Sequence, residues 1–181
     1  MEDIAKVIGI KKPTLYHYVQ SKAQIVSWIH EACVARVNPA LASYIEQQLP
    51  ADEILFLVAR DMLSLLVEKP GYLRVYFENH RDLDAAEQVN IVARRDEYFD
   101  MVRAVLVRGN ETGVLAVDDV DIAALAYFGM CNWAYQWYRA DGPIGPEGLA
   151  VRLWRIFMNG SVPTGQRSVN AYPTSFSGVR D

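Results

Sequence analysis

The sequence has little cysteine and no long apolar run, and each shortage excludes a class of protein. Its two cysteines, Cys33 and Cys131, lie about a hundred positions apart without the spacing of a metal site, so we expect buried free thiols, with a regulatory disulfide as the alternative. The longest apolar stretch, 122–135, is interrupted by Asn132 and is too short to span a bilayer. The charged amino end lacks the apolar run of a secretory signal, which predicts a cytoplasmic protein with no membrane partner.

The sequence also lacks the patterns that usually mark catalysis. His17, His30 and His80 show no metal-ligand spacing, no glycine-rich phosphate loop follows a strand, and no nucleophile motif occurs. We therefore predict that the protein is not an enzyme and that it uses no cofactor and no metal ion.

The dominant pattern that is present is helical periodicity, and no segment alternates with the period of two that strands require. The sequence predicts an all-α protein, and 51% hydrophobic residues suffice for a core. We expect a capping box at Ser21 to start a helix that continues to about Gln48, with a possible kink at Pro39. Later helices are predicted near 52–68, 70–79, 82–112, 118–140 and 146–159, between breaks rich in glycine and proline.

The charge is distributed unevenly along the chain. Residues 1–37, which we call the head, carry five basic and three acidic residues, a net charge of +2. The remaining residues carry 13 basic and 19 acidic residues, a net charge of −6. A basic head on an acidic body is typical of a phosphate-binding module attached to a different kind of domain.

Two short helices are predicted in the head. The first carries the apolar stripe Ile4, Val7 and Ile8 and ends at Gly9, a residue suited to a left-handed helix end. The second admits Pro13 in its first turn and directs Leu15, Tyr18 and Val19 inward.

The stretch DIAKVIGIKKPTLYHYVQSKAQIV resembles the helix-turn-helix of TetR-family repressors, in its Asp-Ile-Ala, turn glycine, Leu-Tyr-x-Tyr and Ser-Lys elements. The resemblance implies an all-α fold in which an N-terminal helix-turn-helix is fused to an antiparallel helical domain for ligand binding and dimerisation. It further implies that the second helix lies in the major groove and that the protein binds as a two-fold dimer. We assign 1–37 to the DNA-binding region, 38–160 to the ligand-binding and dimerisation domain, and 161–181 to a disordered tail.

Helical geometry predicts which side chains of the head face DNA. With Leu15 and Val19 inward, hydroxyl, phenol and imidazole groups face outward beside lysines, where they can reach phosphates and base edges. The candidate DNA-binding residues are Lys11, Lys12, Pro13, Thr14, Tyr16, His17 and Lys22. The alternative is that they are merely solvated polar residues on a small helix.

The resemblance also implies a further helix of about fifteen residues before the helix pair, which this sequence does not show. We expect a head without that cover to be loose, since each uncovered aliphatic side chain costs roughly 1.5 to 3 kcal/mol. Two explanations stay open: an internal methionine taken as the initiator, or a true truncation that abolishes DNA binding. DNA is therefore a predicted partner on condition that the first helix is restored.

A mixture of aromatic rings and charge in the body suggests a ligand pocket. The candidate ligand-binding residues are Tyr76, Phe77, His80, Arg94, Tyr98, Trp133 and Trp137. The alternative is that these residues have no role in binding: the aromatic residues are then part of the core, the arginines form an exposed pair, and the histidine lies on the surface. The stretch NWAYQWYRADGPIGPEGLA is similar to TetR-like regulators of fatty-acid and sterol-ring degradation, which suggests an acyl-CoA or another amphipathic anion as the small-molecule effector.

Two helices near the carboxyl end are apolar on opposite faces. In the first, Ile122, Leu125, Gly129, Trp133 and Trp137 form one stripe, and Ala123, Tyr127, Met130 and Ala134 form another. A helix with two apolar faces needs two packing partners, so we predict a homodimer with a four-helix interface. The alternative is that both helices are central helices of one monomer.

We predict a ligand-responsive repressor that binds a palindromic operator; the alternative is a helical ligand-binding or partner-binding dimer without DNA recognition.

Overall fold

The computed structural model describes residues 1–159, and throughout that range the chain forms α-helices joined by short connections, without a strand. The helices are α1 (Glu2–Val7), α2 (Lys12–Tyr18), α3 (Lys22–Glu46), α4 (Ala51–Glu68), α5 (Tyr72–Glu78), α6 (Ala85–Glu111), α7 (Val120–Asn132), α8 (Ala134–Trp137) and α9 (Pro146–Asn159), with a 3-10 turn at His80–Asp82 between α5 and α6. The all-α prediction is confirmed. The predicted disordered tail lies outside the described residues.

Two predicted helices have different bounds in the structure. The helix expected from residue 82 begins at Ala85, because the Asp84 side chain accepts a hydrogen bond from the Glu87 backbone N–H at 2.8 Å and so caps the helix there. The helix expected over 118–140 ends at Asn132 and is followed by the single turn α8. Tyr138 then has extended backbone angles (φ −66°, ψ 137°), which end the helical run before residue 140.

The head folds around a small apolar cluster of its own. Ala5, Leu15 and Val19 are buried, and Ile4 and Ile25 are among the side chains that pack against them. The chain turns between α1 and α2 through Gly9, whose φ of 73° is the left-handed value predicted for that position. We expected a loose head; in the structure its two helices and their cluster are formed.

Three side chains of the head that were predicted to belong to apolar inner stripes, Val7, Ile8 and Tyr18, are exposed in the structure, so these predictions were wrong; Ile8, just past the end of α1, is 55% exposed. Val7 is 85% exposed because α1 ends there after only six residues, and Ala5 and Ile4 occupy its inner side. Tyr18 is 70% exposed because it is the last residue of α2. The next residue, Val19, has extended backbone angles and its side chain is buried instead. The Tyr18 ring instead makes an edge-to-face contact with His17 at 5.5 Å.

The capping box at Ser21 is present in a slightly altered form. The Ser21 side chain accepts a hydrogen bond from the Gln24 N–H at 3.1 Å, as expected of an N-cap. The Gln24 side chain accepts in return from Gln20, one residue before the cap. The helix that starts here, α3, continues through Pro39 to Glu46 and therefore belongs to both head and body.

The body is built around α4, which packs against α3, α5, α6, α7 and α9. Its inner residues Ile54, Leu55 and Val58 are 0 to 1% exposed. Two hydrogen bonds anchor neighbours to its backbone: the Tyr127 hydroxyl donates to the Leu55 carbonyl, and the Trp154 indole N–H donates to the Asp52 carbonyl at 2.8 Å. The Trp154 side chain, which is half-buried, thus ties α9 to α4.

Among residues 1–159, no helix combines the length and the apolar character that crossing a membrane requires. In the same range both cysteines are buried and unpaired, as the sequence predicted.

Substitution of Leu106 in α6 tests the central core. Leu106 is fully buried, so Leu106→Ala should lower the free energy of unfolding by about 2 to 5 kcal/mol through lost contacts and a residual cavity. The adjacent Val107 is 36% exposed, and Val107→Ala serves as a control whose effect should stay within about 1 kcal/mol. Urea denaturation followed by circular dichroism measures both. Equal losses for the two variants would contradict this description of the core.

Candidate functional site

The residues predicted to contact DNA form one exposed surface on the head. Lys11, Lys12, Pro13, Thr14, Tyr16, His17 and Lys22 are all exposed. Their common orientation follows from α2, which buries Leu15 and directs the intervening positions outward. Tyr16, the largest of them, is 45% exposed. We call this set the head surface.

Two lysines of the head surface have carboxylate partners. Lys12 lies 3.7 Å from Glu2 within the head. Lys22 donates to Asp82 at 2.9 Å, and Asn79 donates to the same oxygen at 3.0 Å. These two hydrogen bonds lower the pKa of Asp82, which therefore stays ionised at neutral pH. Lys22 thus connects the start of α3 to the 3-10 turn of the body.

A cavity of about 460 Å³ lies in the body between α3, α4, α5, α6 and α7. Most of its wall is aliphatic or aromatic, which suits the apolar part of a small molecule. Its lining residues are Cys33, Val34, Val37, Asn38, Met62, Leu65, Leu73, Tyr76, Phe77, Arg94, Arg95, Asp96, Tyr98, Phe99, Leu125, Phe128 and Asn132. Among these, Arg95, Asp96 and Leu125 are exposed, so the cavity reaches the surface between α6 and α7.

Four of the seven predicted ligand-binding residues line this cavity, namely Tyr76, Phe77, Arg94 and Tyr98, and three do not. His80 lies on the 3-10 turn after α5, outside the wall. Trp133 follows the lining residue Asn132 directly, and one residue turns a helix by about 100°, so its ring faces solvent and is 61% exposed. Trp137 is likewise on the outer surface, at 49% exposure.

Sequence reasoning missed the lining residues contributed by α3, α4 and α7. On α7 the three that line the cavity, Leu125, Phe128 and Asn132, share one helical face at spacings of three and four. On α3 the pairs at 33–34 and 37–38 do the same. This spacing is visible in the sequence, but it does not distinguish a cavity wall from a packed core.

The charged rim of the cavity is largely paired. Arg94 donates through one nitrogen to both carboxylate oxygens of Glu31, at 2.9 and 3.0 Å, and so joins α6 to α3. Arg95 and Asp96 lie 3.8 Å apart and are both exposed, which makes theirs a weak pair.

A buried histidine stands behind the cavity wall. His30 of α3 is 1% exposed, and neither ring nitrogen has a hydrogen-bond partner among the described residues. Its ring lies 4.4 Å from that of the lining residue Tyr76. Burial, and secondarily the charge of His80, lowers the pKa of His30 to about 4, so the ring is neutral at pH 7.

The cavity offers no activated nucleophile. Burial raises the pKa of the Cys33 thiol to about 11, so Cys33 is protonated and unreactive near pH 7. Burial also raises the pKa of the phenols of Tyr76 and Tyr98, which remain neutral. Within residues 1–159 no three His, Cys, Asp or Glu side chains come together as metal ligands. The arrangement is suited to binding.

One face of α7 and α8 remains apolar and uncovered. Ile122, Leu125, Trp133 and Trp137 are 49 to 61% exposed, while Tyr127 and Ala134 of the opposite stripe are fully buried. On α9, Ile156 is 50% exposed. We call these five exposed residues the α7–α9 apolar face. Exposed apolar patches of this kind commonly mark interaction sites.

The structure therefore defines a class of protein in which a helical head with an exposed polar surface is joined by one long helix to a helical body containing a ligand-sized cavity. The family profile described as "Tetracyclin repressor-like, C-terminal domain" matches residues 48–161. The chain belongs to the TetR family of transcriptional regulators, as the resemblance of the head suggested.

Several solved structures share the fold. PfmR of Thermus thermophilus, a TetR-family transcriptional regulator, is 27% identical with a TM-score of 0.80, over 90% of this chain and 88% of that one. The ketosteroid regulator KstR2 of Mycobacterium tuberculosis is 21% identical with a TM-score of 0.81, over 88% and 82%. AibR in complex with isovaleryl coenzyme A and operator DNA is 22% identical with a TM-score of 0.72, over 86% and 84%. A sequence comparison with curated proteins found no significant match.

The lowered pKa of His30 predicts a loss of stability in mild acid. The unfolded chain takes up a proton near pH 6.5 and the folded chain only near pH 4, so the free energy of unfolding falls as the pH drops between these values. His30 should contribute about 2 to 3 kcal/mol of this loss between pH 7 and pH 4.5. In urea denaturation at both pH values, His30→Phe should show a correspondingly smaller difference. His17→Phe, a change on the exposed surface, is the control; a His30→Phe difference equal to that of the unchanged protein would contradict the prediction.

Proposed function

We propose that the protein is a ligand-responsive transcriptional repressor that binds a palindromic operator as a homodimer and is released by a small amphipathic effector. The observation that carries the proposal is the course of α3. This single helix starts at Lys22 on the head surface and supplies four residues, Cys33, Val34, Val37 and Asn38, to the wall of the cavity. A ligand that shifts α3 in the body must shift the head attached to it.

The head surface supports DNA as the partner of this region. Exposed lysines supply charge for phosphates, and the exposed phenol, imidazole and hydroxyl groups of Tyr16, His17 and Thr14 can donate to base edges. AibR, which shares the fold, binds operator DNA and isovaleryl coenzyme A in the same complex.

The cavity supports an effector with a mainly apolar body. A volume of about 460 Å³ lies in the range of roughly 300 to 1,000 Å³ that is typical of sites for small molecules. If the effector is an acyl-CoA, the acyl part occupies the cavity and the phosphates remain outside, near Arg94 and Arg95 at the rim.

The α7–α9 apolar face supports the homodimer. Two copies that pair these helices about a two-fold axis cover the exposed indole rings of Trp133 and Trp137 and form a four-helix interface. Such a dimer holds two heads, as two half-sites about 34 Å apart on one side of a duplex require.

DNA binding is tested with the full gene product and an operator selected from a random DNA library, by fluorescence anisotropy at several salt concentrations. We expect affinity to fall steeply with salt and Lys11→Ala to reduce the slope of log K against log salt by about 1 per head. Lys11 is exposed and has no ion pair among the described residues. Lys69→Ala changes a body lysine that lies over the Tyr72 ring, and serves as the matched control. Failure to select any operator would favour a ligand-binding or partner-binding dimer without DNA recognition.

The dimer is tested by placing a charge on the α7–α9 apolar face. Trp133→Glu should yield monomers in sedimentation velocity, because two copies would bury an unpaired carboxylate at the interface. Val89→Glu changes a 70% exposed apolar residue of α6 outside this face and should leave the dimer intact. A dimer mass retained by Trp133→Glu would contradict the proposed interface.

A further inference from the structure

One lysine of the head surface is held by the body. Lys22, in the first turn of α3, donates to the Asp82 carboxylate at 2.9 Å across sixty positions of the chain. By contrast, Lys11 has no ion pair among the described residues, and Lys12 lies 3.7 Å from Glu2 within the head itself. Within residues 1–159, Lys22 is therefore the lysine of the head surface whose charge a carboxylate of the body offsets.

The Asp82 carboxylate is held in place by its own surroundings and not by Lys22 alone. The Asn79 side chain donates to the same oxygen at 3.0 Å, and the Asn79 carbonyl accepts from the Asp82 backbone N–H at 3.0 Å. The next residue, Leu83, is buried, and its carbonyl accepts from the Gln88 side chain at 2.8 Å. These contacts fix the 3-10 turn between α5 and α6, so Asp82 presents a preformed acceptor to Lys22.

The position of this ion pair distinguishes it from a local surface contact. The turn that carries Asp82 directly follows α5, which supplies Leu73, Tyr76 and Phe77 to the cavity wall. Helix α3 packs against both α5 and the turn. The pair therefore lies where the elements that line the cavity meet the head.

A carboxylate beside an ammonium group weakens the contact of that group with DNA in two ways. Asp82 is ionised at neutral pH, because the hydrogen bonds from Lys22 and Asn79 lower the pKa of its carboxyl group. It occupies one of the three donors of Lys22, and its negative charge offsets the attraction between the ammonium group and a phosphate. Both effects have the same sign, so affinity for DNA is reduced whether Lys22 leaves the carboxylate or stays bound to it.

We propose that Asp82 is an inhibitory residue of the body, which lowers the affinity of the head for DNA by competing with phosphates for Lys22. Both side chains are exposed, 55% for Lys22 and 37% for Asp82, so a phosphate can reach the ammonium group without unfolding of the head. An exposed ion pair is weak, and the dense phosphate charge of a duplex can displace it. The inference rests on the proposed function in one respect, namely that the head binds DNA.

The test measures operator binding by fluorescence anisotropy, with the full gene product and an operator selected from a random DNA library. Asp82→Asn removes the charge and keeps the size, and we expect it to bind the operator about 2 to 5 times more tightly for each head. The slope of log K against log salt should become steeper by up to about 1 per head, since Lys22 gains a phosphate. If Asp82→Asn does not fold by circular dichroism, Asp82→Ala is measured against the same criteria.

Asp141→Asn is the matched control. Asp141 is an exposed carboxylate between α8 and α9 that accepts from Arg139 at 3.1 and 3.0 Å, so its replacement removes the same charge and a similar ion pair outside the head and the turn. At about 0.15 M salt, where charges act over about 8 Å, it should leave the affinity nearly unchanged. In Lys22→Ala, the further change Asp82→Asn should have no more effect than Asp141→Asn, because the ammonium group on which Asp82 acts is gone.

The outcomes separate this inference from the proposed function. If the unchanged protein binds an operator, the inference alone is overturned when Asp82→Asn binds no more tightly than Asp141→Asn, or when its gain persists in Lys22→Ala. If neither the unchanged protein nor Asp82→Asn binds any operator, the proposed function fails and the inference fails with it.

Discussion

The burial of α4 is the constraint on which the rest of the structure depends. Five helices, α3, α5, α6, α7 and α9, pack around it, and its inner residues are almost completely withdrawn from water. Aliphatic burial of this extent stabilises the body without directional bonds, and the anchoring of Tyr127 and Trp154 to the α4 backbone then fixes how α7 and α9 are turned. With α7 fixed, one of its apolar stripes must face inward and the other must face away.

Local chemistry made much of the fold predictable from the sequence. Gly9 and the Ser21 cap act on backbone groups within a few residues of themselves, so their effect can be predicted without knowing the tertiary structure. The two stripes of α7 were predictable because helical periodicity alone decides which positions share a face. The outward orientation of Tyr16 and His17 follows in the same way once Leu15 is inward.

The cavity could be predicted only in part, because a void is a property of several helices at once. Tyr76, Phe77, Arg94 and Tyr98 were found from their aromatic and charged character. Which residues of α3 and α7 line the cavity depends on how far apart these helices lie in the tertiary structure. No local sequence pattern indicates that distance. Trp133 shows the limit most clearly: it has the composition of a pocket residue, yet a rotation of one residue from Asn132 places it on the outer surface.

Ion pairs between distant parts of the chain were also beyond prediction. Lys22 meets Asp82 across sixty positions, and Arg94 meets Glu31 across sixty-three. Neither partner stands out in the sequence, because exposed carboxylates are common and their pairing is decided by the packing of α3 against the body. Tyr18 was misplaced for a related reason, since periodicity does not say where a helix of seven residues ends.

The pairing of Arg94 with Glu31 has a consequence for how molecules of different charge act on the protein. The guanidinium at the rim is already held through one nitrogen by a carboxylate of α3, so a negatively charged ligand that binds the same guanidinium lies near the charge of Glu31 and weakens that pair. A neutral ligand can bind in the cavity without disturbing the bond between Arg94 and Glu31. Two ligands of the same size can therefore affect α3 differently. The negatively charged one disturbs the bond that ties this helix to α6, and the neutral one leaves that bond intact.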